Sequence, residues 1–112
     1  MRKGSVEMSV LAVTKENFQK EVKESSIPVL VDFFAVWCGP CGMLGPVIDQ
    51  LAEEVKGVKV CKVNVDEQPE LASAFQVASI PTMVLVKNGE VVQKLVGVRP
   101  KEEIKKMMEQ AL

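Results

Sequence analysis

The run Trp37-Cys38-Gly39-Pro40-Cys41 constrains the fold of this chain more than any other feature. It follows an apolar stretch typical of a buried strand and opens a stretch with helical spacing. Cysteines three positions apart at a helix start lie about one turn from each other, close enough to form a disulfide. Pro40 suits the first helical turn, because its missing N–H would have no partner there. The run therefore predicts a strand followed by a helix that carries two neighbouring thiols at its N-terminus.

The position of Cys38 favours a thiolate, because free backbone N–H groups and the helix dipole attract negative charge at a helix N-terminus. Disulfide exchange needs one thiolate to attack a substrate sulfur and a second thiol to release the mixed disulfide. We assign the attack to Cys38, which we expect to be the more exposed thiol, and the resolution to Cys41. The pair is expected to cycle between a dithiol and a disulfide.

Two other interpretations of the pair stay open. One is a static crosslink or two inert core cysteines, which the Gly-Pro spacer and the adjacent Trp37 disfavour. The other is a zinc or iron–sulfur site, which usually needs four ligands where one Cys-x-x-Cys supplies two. Such a site would require two chains that bridge one metal, or Cys61 with a fourth ligand. Histidine is absent, which excludes histidine general bases and histidine-containing zinc sites.

The composition is typical of one folded domain and indicates neither nucleic acid nor a membrane as a partner. The 112 residues are 47% hydrophobic and carry a formal net charge of −1, so a modest core is expected and no basic surface. No apolar stretch is long enough to span a bilayer, and the N-terminal segment lacks the features of a secretory signal. We expect a single domain over residues 1–112, located in the cytoplasm and without a metal.

Hydrophobic periodicity predicts alternating strands and helices. The expected strands lie at residues 6–13, 29–36, 58–65, 82–86 and 90–96. The expected helices run from a cap at Thr14 to Ile27, over residues 38–55 with a kink at Pro46, over residues 66–75, and from Pro100 onward. Asn88-Gly89 predicts a tight antiparallel hairpin. The order β-α-β-α-β-α-β-β-α predicts an α/β fold, a mixed central sheet with helices on both faces.

Two of these helices carry apolar stripes that should face the core. The expected inward positions are Val47, Ile48, Leu51 and Val55 in the second helix, and Ile104, Met107, Met108 and Leu112 in the last. Helical spacing places each set on one side of its helix.

Four further runs accompany the cysteine pair in a fixed order. They are Val-Asp-Phe-Phe-Ala at 31–35, Lys-Val-Asn-Val-Asp at 62–66, Ser-Ile-Pro-Thr at 79–82 and Lys-Asn-Gly-Glu at 87–90. With Trp-Cys-Gly-Pro-Cys they resemble the thioredoxin family, from about Val10 to the C-terminus. The resemblance implies a thioredoxin-like fold and a monomeric, general protein-disulfide reductase. It also implies disulfide-containing client proteins, reduction by a thioredoxin reductase, and no bound cofactor.

A disulfide oxidant or isomerase is the alternative within the same class of enzymes. The Gly-Pro spacer resembles that of reducing members of the family, and the missing export signal agrees with a reductant. One position departs from the family pattern, because most members carry a basic residue where this chain has Gly42.

Asp32 interrupts an apolar strand, and a carboxylate there is costly to desolvate unless it is paired or protonated, so its pKa should be raised. Position alone does not separate a structural role from a functional one. The resemblance implies that Asp32 lies beneath the disulfide and accepts the proton of Cys41 through water. It also places Lys62 near Asp32, where the lysine would tune the site together with the Gly39-Pro40 spacer.

The resemblance implies a cis bond at Ile80-Pro81, facing the disulfide, where the Ile80 backbone would pair with an extended substrate. The residues expected to form a flat apolar docking surface around it are Trp37, Gly39, Pro40, Val96, Gly97 and Val98. From the residues alone, the alternative for each valine is simple core packing, and the alternative for Gly97 is a bend in an edge strand. Cys61 is expected to be an inert, buried thiol.

Overall fold

The computed structural model describes residues 10–112, in which five strands form one sheet. The strands are β1 (Val10–Ala12), β2 (Val29–Phe34), β3 (Lys59–Asn64), β4 (Thr82–Lys87) and β5 (Glu90–Val96). The helices are a π-helix (Gln19–Lys23), α1 (Gly39–Glu54), α2 (Pro69–Ala74) and α3 (Lys101–Gln110). No helix in this part of the chain is long and apolar enough to cross a membrane.

The sheet is mixed, with the strand order β1-β3-β2-β4-β5. Strands β1, β3 and β2 are parallel, whereas β4 is antiparallel to β2 and β5 is antiparallel to β4. The predicted element order and the mixed sheet are confirmed. The central strand β2 is buried on both faces, as its nearly continuous apolar sequence indicates.

Alternate residues of β2 face two separate apolar clusters. Leu30 packs with buried residues of α1 and α3, and Val31 and Phe33 pack on the other face with Val22 of the π-helix and Leu71 of α2. The sheet is therefore covered on both faces, as predicted. Because side chains alternate along a strand, Asp32 points to the same side as Leu30, the side covered by α1.

The first helix differs from its prediction. It is a π-helix of five residues, and its N-cap is Phe18 rather than Thr14. The Thr14 hydroxyl accepts a hydrogen bond from the Glu16 N–H at 3.3 Å, and the Asn17 side chain accepts one from the Thr14 N–H at 2.8 Å. These are the reciprocal bonds of a capping box, so Thr14 caps the turn over residues 15–17 that leads into the π-helix. The first strand begins no earlier than Val10 among the described residues, and the part predicted at residues 6–9 lies outside them.

Helix α1 begins as predicted but faces the core with a slightly different stripe. Its buried residues include Leu44, which the prediction omitted, whereas Val47 is only partly buried. Pro46 lies inside the helix.

Helix α3 ends too early for Leu112 to reach the core. The last helical residue is Gln110, the C-cap Ala111 is buried in place of Leu112, and Leu112 is 64% exposed. A Cβ atom added at Gly57 would lie 2.9 Å from the Leu112 side chain, so this leucine covers Gly57 on the surface. The prediction for Leu112 was therefore wrong.

The hairpin between β4 and β5 has the predicted turn. Asn88 has a φ of 55° and Gly89 a φ of 80°, and a two-residue hairpin turn of this kind needs positive φ at both positions. The antiparallel register pairs Lys87 with Glu90 on either side of the turn.

Candidate active site

The cysteine pair lies at the N-terminus of α1, where it forms a disulfide between Cys38 and Cys41 with their Cα atoms 5.3 Å apart. Cys38 is the N-cap residue, with an extended backbone. Its Sγ accepts a hydrogen bond from the Cys41 N–H at 3.2 Å. The sulfur therefore occupies the place of a capping side chain, among the backbone N–H groups that have no partner within the helix.

Exposure does not distinguish the two cysteines. Cys38 is 8% exposed and Cys41 is 6% exposed, so the expected greater accessibility of Cys38 is not a clear feature of the oxidised protein. Their surroundings do differ. Cys38 carries the capping position and lies beside the Ile80 carbonyl, whereas Cys41 lines a cavity that extends into the protein.

Asp32 lies beneath the disulfide on β2 and is 6% exposed. Its Oδ1 has no hydrogen-bond partner among the described residues. Burial raises the pKa of Asp32 to about 7, Lys62 opposes this rise, and Asp49 adds to it. The cause is desolvation, because a buried carboxylate loses the water that stabilises its charge.

A cavity of about 170 Å³ joins Asp32 to Cys41. Gly45, Asp49 and Lys62 also line it. A cavity of this volume, lined in part by polar groups, is large enough for water, which bridges buried polar groups. The structure thus brings together Asp32, Cys41 and Lys62, as the resemblance to the family implied, and adds Asp49, which the sequence analysis did not single out.

The Ile80-Pro81 peptide bond is cis and faces the disulfide. The Ile80 carbonyl oxygen lies 3.9 Å from the Cys38 Sγ. The Thr82 hydroxyl donates a hydrogen bond to the Ser79 carbonyl at 2.6 Å, and the Gly97 N–H donates one to the Pro81 carbonyl at 2.8 Å. These two bonds hold the loop next to Cys38.

Trp37 is 69% exposed and is held at the surface by a hydrogen bond. Its Nε1–H donates to the Asp66 Oδ2 at 2.7 Å. The Asn64 side chain accepts hydrogen bonds from the backbone N–H groups of Asp66 and Glu67, at 2.9 and 3.2 Å, and so fixes the turn after β3. The indole is therefore oriented beside the cysteines rather than buried.

The predicted docking residues are mostly at the surface. Trp37, Gly39 and Pro40 are exposed, and Val96 and Val98 are 47% and 45% exposed, which excludes simple core packing for these valines. Gly97 and Ile80 are half-buried, and Pro81 is buried. Two apolar neighbours along the chain were missed: Val36 is 83% exposed and Met43 is 71% exposed.

Comparison with known proteins decides the family. The family model described as thioredoxin matches residues 9–110. The chain belongs to the thioredoxin family. A thioredoxin 1 from Synechococcus elongatus is 50% identical over 107 residues, which cover 94% of this chain and 100% of that protein. A thioredoxin from Rickettsia felis is 52% identical over 93 residues, which cover 82% and 89%.

A solved structure shows the same fold. It is a mutant thioredoxin from Halobacterium salinarum, with a TM-score of 0.85 and 40% identity, and the match covers 91% of this chain and 89% of that one. The thioredoxin-like fold is therefore confirmed. With the family and its Cys-x-x-Cys pair established, the chain is a thiol–disulfide oxidoreductase with protein-disulfide reductase activity.

Cys61, the third cysteine of this thioredoxin-family chain, takes no part in the site. It is fully buried in β3, within the cluster on the face of the sheet opposite Asp32. Burial raises the pKa of its thiol to about 12, so the thiolate is scarce at neutral pH. No group of three Cys, Asp or Glu side chains in residues 10–112 is arranged to hold a metal ion. The structure therefore does not bring Cys61 to the pair as a metal ligand.

The signals for the missed residues differ in strength. Met43 follows Gly39 by four positions in α1, so helical spacing alone places Met43 on the same side of the helix as Gly39, one turn further along. Asp66 is 29 positions from Trp37, and nothing in the sequence links the two.

Proposed function

We propose that this chain reduces client disulfides in two exchange steps, in which Cys38 attacks and Cys41 resolves. The observation that carries this assignment is the capping position of the Cys38 Sγ, which accepts the Cys41 N–H at the start of α1. After reduction, the same N–H groups and the helix dipole stabilise a negative charge on Cys38. Cys41 has no such position, and it faces the cavity.

The two steps balance in sulfur, electrons and protons. The Cys38 thiolate attacks one sulfur of a client disulfide, forms a mixed disulfide and releases the first client thiolate. The Cys41 thiolate then attacks the Cys38 sulfur, forms the Cys38–Cys41 disulfide and releases the second client thiolate. The client gains two electrons, which the cysteine pair loses.

Asp32 is proposed to accept the proton that Cys41 must lose before the second step. Three features support this role: the raised pKa of Asp32, its Oδ1 without a hydrogen-bond partner among the described residues, and the cavity that allows water between Asp32 and Cys41. A group whose pKa is about 7 exchanges protons readily near neutral pH. Lys62 lowers the pKa of Asp32 and is the proposed tuning residue, along with the Gly39-Pro40 spacer.

Client docking is proposed at the exposed surface around the disulfide. An extended client segment would pair with the Ile80 backbone, next to Cys38 and the cis Pro81. Trp37, Val96 and Val98 supply exposed apolar area on either side. The spacer residues Gly39 and Pro40, and Gly97, would allow close approach of the client backbone.

The rest of the catalytic cycle follows from the same chemistry. A thioredoxin reductase would return two electrons to the oxidised pair, and no cofactor bound to this chain is needed, because the cysteines themselves carry the electrons. We place this electron transfer in the cytoplasm, with a monomeric protein that maintains thiols of client proteins and has no nucleic acid or membrane partner.

Trapping the mixed disulfide tests the assignment. The Cys41→Ser variant should accumulate a covalent complex with a disulfide-containing client such as insulin, and mass spectrometry should locate the bond at Cys38. The Cys38→Ser variant should form none, and Cys61→Ser, the matched control, should reduce the client at the wild-type rate. A client adduct on Cys41 in Cys38→Ser, with none on Cys38 in Cys41→Ser, would reverse the two roles.

A further inference from the structure

One stripe of α1 faces the cavity with three residues at successive turns. Cys41, Gly45 and Asp49 are spaced four positions apart, so they lie one above another along the helix. Gly45 has no side chain, and a Cβ atom added there would meet nothing within 4 Å. The stripe therefore leaves a gap between the sulfur of Cys41 and the carboxylate of Asp49.

The opposite wall of the cavity belongs to the sheet. Asp32 of β2 and Lys62 of β3 are register partners, so their side chains lie next to each other on the α1 side. The neighbours of Asp32 from the other strands carry no charge: Met83 is its partner in β4, and Val10 of β1 lines the cavity. Asp49 and Lys62 are thus the charged groups that line this cavity with Asp32, and the Cys41 thiol joins them once the disulfide is reduced.

The charged and sulfur-containing residues that line the cavity are buried at one end and exposed at the other. Asp32 and Cys41 are buried, whereas Asp49 and Lys62 are exposed. The cavity therefore opens to solvent between Asp49 and Lys62, which carry opposite charges on either side of its mouth.

We propose that Asp49 is a positioning residue of the exchange reaction. It lies at the mouth of the route by which the proton of Cys41 reaches solvent, and it acts on that proton through Asp32. The proposal rests on the proposed function, in which Asp32 accepts the proton of Cys41. The proton is accounted for at each step of this route. The Cys41 thiol gives its proton to water in the cavity, Asp32 takes it from that water, and bulk water removes it past Gly45, Asp49 and Lys62. No other reactant is required.

The two charges at the mouth act on Asp32 in opposite directions. The carboxylate of Asp49 disfavours a second negative charge in the cavity and so favours the protonated form of Asp32. The ammonium of Lys62 favours the ionised form. Burial is the main cause of the raised pKa of Asp32, and the two charges shift that pKa in opposite directions, Lys62 by more than Asp49.

Charge-neutral variants separate these effects. We would titrate Asp32 by carboxyl NMR in the oxidised wild type, in Asp49→Asn, in Lys62→Met and in the double variant. The matched control is Glu109→Gln on the exposed side of α3, which removes one negative charge from a helix that does not line the cavity. The pH profile of single-turnover client reduction, followed by fluorescence of the single tryptophan, is measured for the same proteins.

The expected result is a shift in the Asp32 titration midpoint of at least about 0.3 pH unit, a twofold change in the proton equilibrium. It should move down in Asp49→Asn, up in Lys62→Met and back towards the wild type in the double variant. The pH profile of the reaction should move in the same directions. Glu109→Gln should move neither. A midpoint in Asp49→Asn equal to that of Glu109→Gln would overturn the proposal.

The kinetic data keep this proposal distinct from the proposed function. If Asp32→Asn reduces clients at the wild-type rate, the role of Asp32 as proton acceptor fails, and the role of Asp49 in the reaction fails with it. If Asp32→Asn is slow but Asp49→Asn leaves the pH profile unchanged, only the inference about Asp49 fails.

Discussion

Removal of the buried carboxyl at position 32 should make the oxidised protein more stable at neutral and alkaline pH. Asp32 is 6% exposed, and its Oδ1 has no hydrogen-bond partner among the described residues, so ionisation in the folded state is opposed by desolvation. In the unfolded chain the same group is fully hydrated. The substitution Asp32→Asn keeps the shape of the side chain and removes the ionisation.

The magnitude follows from the difference in pKa. The pKa of Asp32 is about 7 in the folded protein against an ordinary value of 3.8. Since one pKa unit corresponds to about 1.4 kcal/mol, ionising Asp32 costs the folded state about 4 kcal/mol relative to the unfolded chain. Between these two pKa values the folded state binds the extra proton. As far as Asp32 is concerned, the free energy of unfolding is therefore highest below about pH 4, falls as the pH rises, and reaches its lower limit above about pH 7.

Denaturant unfolding of oxidised wild type and Asp32→Asn from pH 4 to pH 8 tests this reasoning. The difference between their free energies of unfolding should change by about 4 kcal/mol in favour of the variant, a large part of the 5–15 kcal/mol of a typical domain. Any fixed effect of burying an amide cancels in the pH dependence. Glu109→Gln serves as the control for loss of one carboxylate. A difference that stays constant from pH 4 to pH 8 would refute the account of Asp32.

Three further outcomes are expected. Gly42→Ala, at an exposed α1 position where a Cβ meets nothing within 4 Å, should raise the free energy of unfolding by about 0.5–1 kcal/mol in a denaturant titration; no gain would contradict the helical-propensity argument. Gly89→Ala should lower it by about 1–2 kcal/mol, because φ is +80° and the added Cβ would lie 3.1 Å from the Lys23 carbonyl; unchanged stability would count against the turn geometry. Cys61 in the oxidised protein should resist a thiol reagent at pH 8 and react once on unfolding, and rapid labelling of the native state would disprove its inertness.

Much of the fold was predictable because local patterns and tertiary contacts agree. The apolar run of β2 predicts burial on both faces, and Asn88-Gly89 supplies the positive φ values that the hairpin turn needs. The position of Asp32 within that apolar run was enough to predict a raised pKa, because desolvation follows from burial alone.

Other features depend on where regular helix begins and ends and on which groups meet across the fold. The hydrogen bonds typical of a helix cap are present at Thr14, but residues 15–17 form a turn before the π-helix begins. Leu112 has the spacing of a core residue, but α3 ends two positions earlier. The pairing of Trp37 with Asp66 joins residues from separate elements.

The cavity shows the same limit within the site. Cys41, Gly45 and Asp49 have regular helical spacing, yet the sequence does not show that this side of α1 faces Asp32 and encloses a space. The side chain missing at Gly45 matters only once the opposite wall is known. The arrangement of Cys41, Gly45 and Asp49 around the cavity could therefore be recognised only in the three-dimensional structure.

The reduction potential of the Cys38–Cys41 pair tests the central claim most directly. The oxidised protein would be equilibrated with defined thiol–disulfide buffers, and the fraction of disulfide measured from the fluorescence of its single tryptophan. A protein-disulfide reductase should give a potential near or below roughly −250 mV. A potential above about −200 mV would contradict this account and identify a disulfide oxidant or isomerase instead.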